Sequence, residues 1–139
     1  MIDYGKFVKS LKHLEAQLEN YQNSAHRPEL WDIDREAIAE SVIQRFEICY
    51  DCLWKALKRY LNEYLGIPEL PNSPKPLFRI AFENQLLPTI EEWLIYADAR
   101  TSTSHDYSDE KAQATIHTAS VFAQNAAVLY QKMTGKPWS

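Results

Sequence analysis

Apolar residues along this chain recur at helical spacing. Tyr4, Phe7, Leu11, Leu14, Leu18 and Tyr21 step by three and four, with Lys6, Lys9, Lys12, Glu15 and Glu19 off that line. The pattern draws one apolar stripe down an amphipathic helix from about Asp3 to Gln22. The polar cluster at 23–27 and Pro28 end it. A second helix is expected from Asp34, a residue type suited to an N-cap, to about Leu65, where Gly66 and Pro68 stop it. Its stripe is Ala39, Val42, Phe46, Cys49 or Tyr50, Leu53, Leu57, Tyr60 or Leu61, and Tyr64. That repeat is close to 3.5 residues, the period of helices that pack lengthwise in a bundle. About thirty residues at 1.5 Å each span roughly 45 Å. A helix of that length overhangs its own bundle or lines a subunit interface.

Four prolines between Pro68 and Pro76 predict a stiff loop, followed by a short helix over about Leu77 to Asn84. Pro88 suits the first turn of another helix carrying Ile90, Trp93, Leu94 and Ala97. Ser108, Asp109 and Glu110 give the last helix a cap and complement its dipole. Its stripe runs through Ala112, Ile116, Ala119, Phe122 or Ala123, Ala126, Leu129 or Tyr130, and Met133; Gly135 and Pro137 stop it. The expected fold is all-α: an antiparallel up-and-down bundle of four main helices plus a short one, in a single domain over residues 1–139.

Composition narrows the function classes. The chain has 139 residues, 45% hydrophobic content and three glycines, enough for a real core. A net charge of −4 argues against broad coating of nucleic acid but leaves room for a small basic site. No apolar run reaches the roughly 18 residues of a membrane span. The N-terminal residues lack the basic-then-apolar order of a signal peptide, and the cysteines number only two, so a reducing cytoplasm is expected. Cys49 and Cys52 spell Cys-x-x-Cys, but zinc needs a second ligand pair and the two lie mid-helix, so core packing is the expected role. His13, His26 and His117 show no ligand spacing, and neither a metal nor a cofactor is expected.

One stretch concentrates chemistry: Arg100-Thr-Ser-Thr-Ser-His105-Asp-Tyr107-Ser108. It holds a permanent cation and a titratable ring five positions apart. On an unbroken helix the two would point roughly 140° apart, so they meet on one ligand only if the helix ends between them or a second subunit supplies one. Arginine's fork grips phosphate with two bonds, and histidine can take or give a proton near neutral pH. Together they suffice in principle for metal-free cleavage of RNA, whose 2′-hydroxyl is a built-in nucleophile; the alternative is a loop whose arginine pairs with a carboxylate of the second helix. On the second helix, Glu47, Asp51, Lys55 and Arg59 stand at steps of four. They read either as a solvated charge ladder or as a source of carboxylates, Glu47 or Asp51, that orient Arg100.

Arg-Thr-Ser-Thr-Ser-His-Asp-Tyr (100–107) resembles the Arg-x4-His-x-Tyr motif of HEPN proteins, in particular the nucleotidyltransferase substrate-binding branch. The stretch 44–61 is similar to that branch's Trp-Lys-x-Leu-Lys helix, and 76–83 followed by Trp93 is a third match. The resemblance implies a dimerising helical bundle with a separately encoded minimal nucleotidyltransferase as partner. It implies Arg100 and His105 as an RNase pair acting on RNA, and Tyr107 as a tyrosine that the partner adenylylates. Thr101 departs from the Asn, Asp or His that many HEPN RNases carry after the arginine. Two function classes stand: an RNase toxin neutralised by its partner, and a non-catalytic subunit that helps the nucleotidyltransferase bind its substrate.

Overall fold

The computed structural model describes residues 1–102 and 109–139. Among them are five helices and no strand: α1 (Gly5–Ser24), α2 (Asp32–Glu63), α3 (Pro74–Glu83), α4 (Glu91–Ser102) and α5 (Asp109–Thr134). The all-α bundle follows from the stripes. Leu11 and Leu14 of α1, Val42, Phe46, Leu53, Leu57 and Leu61 of α2, and Ala119, Phe122 and Ala126 of α5 lose all exposure to solvent. α1 and α2 pack as a hairpin, α5 lies against both, and the short α3 and α4 close the other flank of α2. No described helix is long and apolar enough to cross a membrane.

Several boundaries differ from the pattern's expectation, each for a local reason. α2 starts before Asp34: Trp31 holds the extended cap position, and the Asp34 carboxylate accepts its N–H at 2.9 Å. Asp34 therefore serves in the first turn, where an acid also suits the dipole. Arg35 then ties the α1–α2 loop to the helix, donating to the carbonyls of Leu30 (2.8 Å), Arg27 (2.6 Å) and Ser24 (3.4 Å). The proline-rich stretch is not all loop. Pro74 opens α3 three residues before Leu77, because the first helical position needs neither an N–H nor a φ that proline lacks. Pro88, by contrast, lies ahead of α4, whose first turn is acidic with Glu91 and Glu92. Gly66 and Gly135 follow α2 and α5 with φ of 67° and 72°, the left-handed conformation that glycine adopts without strain. The expected cap at Ser108 lies outside the described residues.

Aromatic rings join the two flanks. Phe122 of α5 meets Phe46 of α2 at 5.2 Å and Tyr96 of α4 at 5.3 Å, both edge to face. Trp93 of α4 contacts Phe78 of α3 at 5.3 Å. α2 has 32 residues, about 48 Å at 1.5 Å each. Apolar side chains stay exposed towards both its ends: Trp31 (76%) and Ile33 (66%) at one, Tyr64 (68%) at the other.

Candidate functional site

Trp93, Tyr96, Ala97 and Arg100 are spaced three, four and seven apart, so they share one face of α4. The first three are buried in the core. Arg100, one turn further, emerges at the core's edge with its side chain 33% exposed. α4 cannot easily roll away from this setting. Asn125 of α5 donates to Tyr96 Oη and to Glu92 Oε2, the latter at 2.9 Å, and so pins the helix at two points.

The neighbouring helix meets Arg100 with carboxylates. Glu47 and Asp51 are one turn apart on α2, flanking the buried Phe46 and Tyr50. Arg100 Nε donates to Asp51 Oδ1 at 3.3 Å and Nη2 to Asp51 Oδ2 at 3.1 Å, a two-pronged pairing. Nη1 donates to Glu47 Oε2 at 3.3 Å. The Asp51 hydrogen bonds, reinforced by both negative charges and opposed by partial burial, push the guanidinium further up and keep it charged. Burial, together with the adjacent Asp51 charge, pushes the Tyr50 phenol up and keeps it neutral. Three N–H groups from two directions hold the plane of Arg100 more firmly than one carboxylate would.

A cavity of about 650 Å³ opens beside this cluster. Tyr50, Asp51 and Trp54 of α2 line one side, Pro74, Lys75 and Pro76 of α3 with Ser73 before them another, and Ala97, Asp98, Arg100 and Thr101 of α4 a third. Lys75 bridges to the Asp98 carboxylate across the α3–α4 junction. The Thr101 hydroxyl donates back into its own helix, to Asp98 O at 3.0 Å.

Of the residues singled out from sequence, Arg100, Glu47 and Asp51 converge, while His105 and Tyr107 lie outside the described residues. The charge ladder on α2 divides: its two acids face α4, and Arg59 pairs instead with Glu63 at 3.1 Å. Cys49 is buried and Cys52 half-buried on the α1 side of α2. Among the described residues no group of three or more His, Cys, Asp or Glu side chains could hold a metal ion. His13 sits on the surface at 3.4 Å from Arg45. The Lys75–Asp98 bridge had no sequence signal, Trp54 entered only through the Trp-Lys-x-Leu-Lys resemblance, and the prolines read as loop although Pro74 and Pro76 line the cavity with Trp54.

The family described as nucleotidyltransferase substrate binding protein like matches residues 2–135. Over 103 residues the chain is 27% identical to Probable ribonuclease HepT of Haemophilus influenzae, covering 73% of this chain and 70% of that protein. Its fold is similar to that of HI0074 of H. influenzae, described as the fold of a substrate binding domain of a nucleotidyltransferase. That likeness has a TM-score of 0.83 at 22% identity, over 94% of this chain and 98% of the other. A crystal structure of a Thermus thermophilus protein is similar at a TM-score of 0.66 and 28% identity, over 87% of this chain and 98% of that one. The match spans every described helix, so the chain belongs to the nucleotidyltransferase substrate binding protein like family, the HEPN branch that its motifs resemble.

Proposed function

We propose that this chain is a single HEPN domain acting as a metal-independent endoribonuclease toxin, regulated by a separately encoded minimal nucleotidyltransferase. The observation that supports the reading best is the seating of Arg100. A cation held by two carboxylates of a neighbouring helix stands five positions before His105, in a family with a member named as a ribonuclease. In the proposed reaction Arg100 grips the scissile phosphate and His105 acts as general acid or base. The 2′-oxygen of RNA loses its proton and attacks the adjacent phosphorus. The bond to the 5′-oxygen breaks, and that oxygen gains a proton. A 2′,3′-cyclic phosphate and a 5′-hydroxyl result. Glu47 and Asp51 orient the cation but also offset its charge, so binding rests on few phosphate contacts and weakens only gently with salt.

The reading extends to assembly and control. A homodimer places two Arg100–His105 sites near its axis, and the long α2 with exposed Trp31 and Ile33 supplies surface for it. AMP on Tyr107 adds a bulky anion two residues from His105, which repels RNA and competes for Arg100. The setting is the cytoplasm.

Cleavage of single-stranded RNA by purified, unmodified protein tests the chemistry. Arg100→Lys keeps charge but loses the fork and is expected to cut poorly. His105→Ala is expected to lose about 10²–10⁴ in rate. EDTA is expected to have no effect, and DNA to survive. Equal cleavage with and without His105 rejects the mechanism. Co-expression with the cognate nucleotidyltransferase is expected to add one AMP to the intact mass, absent in Tyr107→Phe. Light scattering that gives a monomer at micromolar concentration removes the dimer.

One observation favours the second reading, a non-catalytic substrate-binding subunit. Thr101, where many HEPN RNases carry Asn, Asp or His, spends its hydroxyl on its own helix. Absence of any RNA cleavage, with no toxicity on expression without the partner, selects that reading.

A further inference from the structure

The cavity beside Arg100 is built unlike a phosphate site. It meets α3 at its N-terminus, ordinarily a place for anions. Here, however, Pro74 and Pro76 occupy the first and third helical positions, and proline has no N–H to donate. The wall is pyrrolidine ring instead. From α2 the half-buried indole of Trp54 faces the same space. The charges on the lining pair off, Lys75 with Asp98 and Arg100 with Asp51. The space is therefore apolar on its walls, balanced in charge and bordered by carboxylate acceptors. At about 650 Å³ it falls within the range of roughly 300–1,000 Å³ that encloses a small organic ligand.

We propose that this cavity is a nucleobase subsite. It takes the base of the nucleotide adjoining the phosphate gripped by Arg100, stacked on Trp54. The identity of the strand as RNA rests on the ribonuclease reading above; the apolar, charge-balanced cavity, roomy enough for a base, does not. Arg100 borders the cavity and is the proposed phosphate ligand, so one nucleotide can span both. Aromatic stacking accepts any base, because every base has a π-face. The acceptors Asp51 and Asp98 add a preference. Guanine, adenine and cytosine carry amino donors, and guanine offers two adjacent N–H groups to one carboxylate. Uracil flanks its single N–H with carbonyl oxygens, which carboxylates repel. Strands with guanine at the subsite are expected to bind tightest and those with uracil weakest.

The test uses the full chain and 2′-O-methyl tetranucleotides, which cannot be cleaved, so calorimetry reads binding independently of chemistry. Trp54→Ala is expected to weaken binding roughly 5–150-fold, the usual range for loss of one stacked base, and Trp54→Phe to retain most of it. On the wild-type protein, an abasic residue at one position of the strand is expected to cost a similar factor. That measurement stands even if Trp54→Ala fails to fold. Abasic and intact strands binding equally, Trp54→Ala binding like wild type, or no binding of any tetranucleotide overturns the subsite. His105-dependent cleavage with Trp54-independent binding sinks the subsite alone; Trp54-dependent binding without cleavage sinks the ribonuclease reading alone.

Discussion

Replacing Asp51 by Ala separates holding the fold from aiming a side chain. Asp51 gives Arg100 two contacts, at 3.3 and 3.1 Å, but the pair is not deeply buried: the side chains are 39% and 33% exposed. Solvent screening at that exposure limits the pair to about 0.5–1 kcal/mol, the upper part of the range for exposed ion pairs. For a domain of this size that lowers Tm by about 3 °C. The aromatic contacts of Trp93 and Tyr96 keep α4 in place without the pair. Glu47 still holds one nitrogen, yet the guanidinium loses the partner that fixes its plane. A misplacement of about 1 Å costs on the order of 10² in rate. Asp51→Ala is therefore expected to lower kcat/KM for RNA cleavage by about 10²-fold while the thermal transition barely moves. Glu47→Gln, which loses one contact, is expected to cost less on both counts. Urea denaturation and cleavage kinetics on the same preparations read both quantities. A stability loss above about 3 kcal/mol would make the pair a structural clamp of the buried kind. Unchanged cleavage would show that Arg100 needs no orienting partner.

Other expectations concern stability. Burial pushes the Cys49 thiol from its ordinary 9.0 up to about 12, so iodoacetamide at pH 8 is expected to alkylate it far more slowly than the half-buried Cys52, read by peptide mass spectrometry. Because the raised value belongs to the folded state, its contribution is full below pH 9 and lost as pH rises towards about 12; the urea midpoint is expected to fall over that window, less steeply in Cys49→Ala. Arg35→Ala removes three hydrogen bonds, but the Ser24 and Arg27 carbonyls keep the N–H groups of Arg27 and Leu30, so the loss is expected to be about 1 kcal/mol in denaturation. Tyr4→Phe removes a buried hydroxyl that has no partner among the described residues, while keeping the edge contact with Tyr130 at 6.3 Å. Tm is expected to hold or rise slightly; a clear drop would reveal a partner for that hydroxyl.

The helices were legible because burial imposes a period on the chain. Leu11, Phe46, Leu53, Leu57 and Phe122 stand where a 3.6-residue repeat puts them, and each has lost its solvent exposure. Residue chemistry also marked Arg100, because a permanent cation, a titratable ring and a run of hydroxyls gather within residues 100–108. Boundaries were less legible. Whether Asp34 or Trp31 caps α2, and whether Pro74 belongs to loop or helix, turns on hydrogen bonds and φ values that several residue types satisfy. The carboxylate question was open for another reason. Glu47 and Asp51 at a step of four read by default as a solvated ladder with Lys55 and Arg59, and only second as partners for a distant arginine. Local spacing is the same in both cases. Only the packing of α4 across α2, fixed by Trp93, Tyr96 and Phe122, brings Arg100 to within 3.3 Å of both acids from about fifty residues away. The cavity between Trp54 and the α3 prolines is likewise a product of three helices meeting. No one-dimensional pattern contains it, because its walls are far apart in the chain and adjacent only once the core has closed.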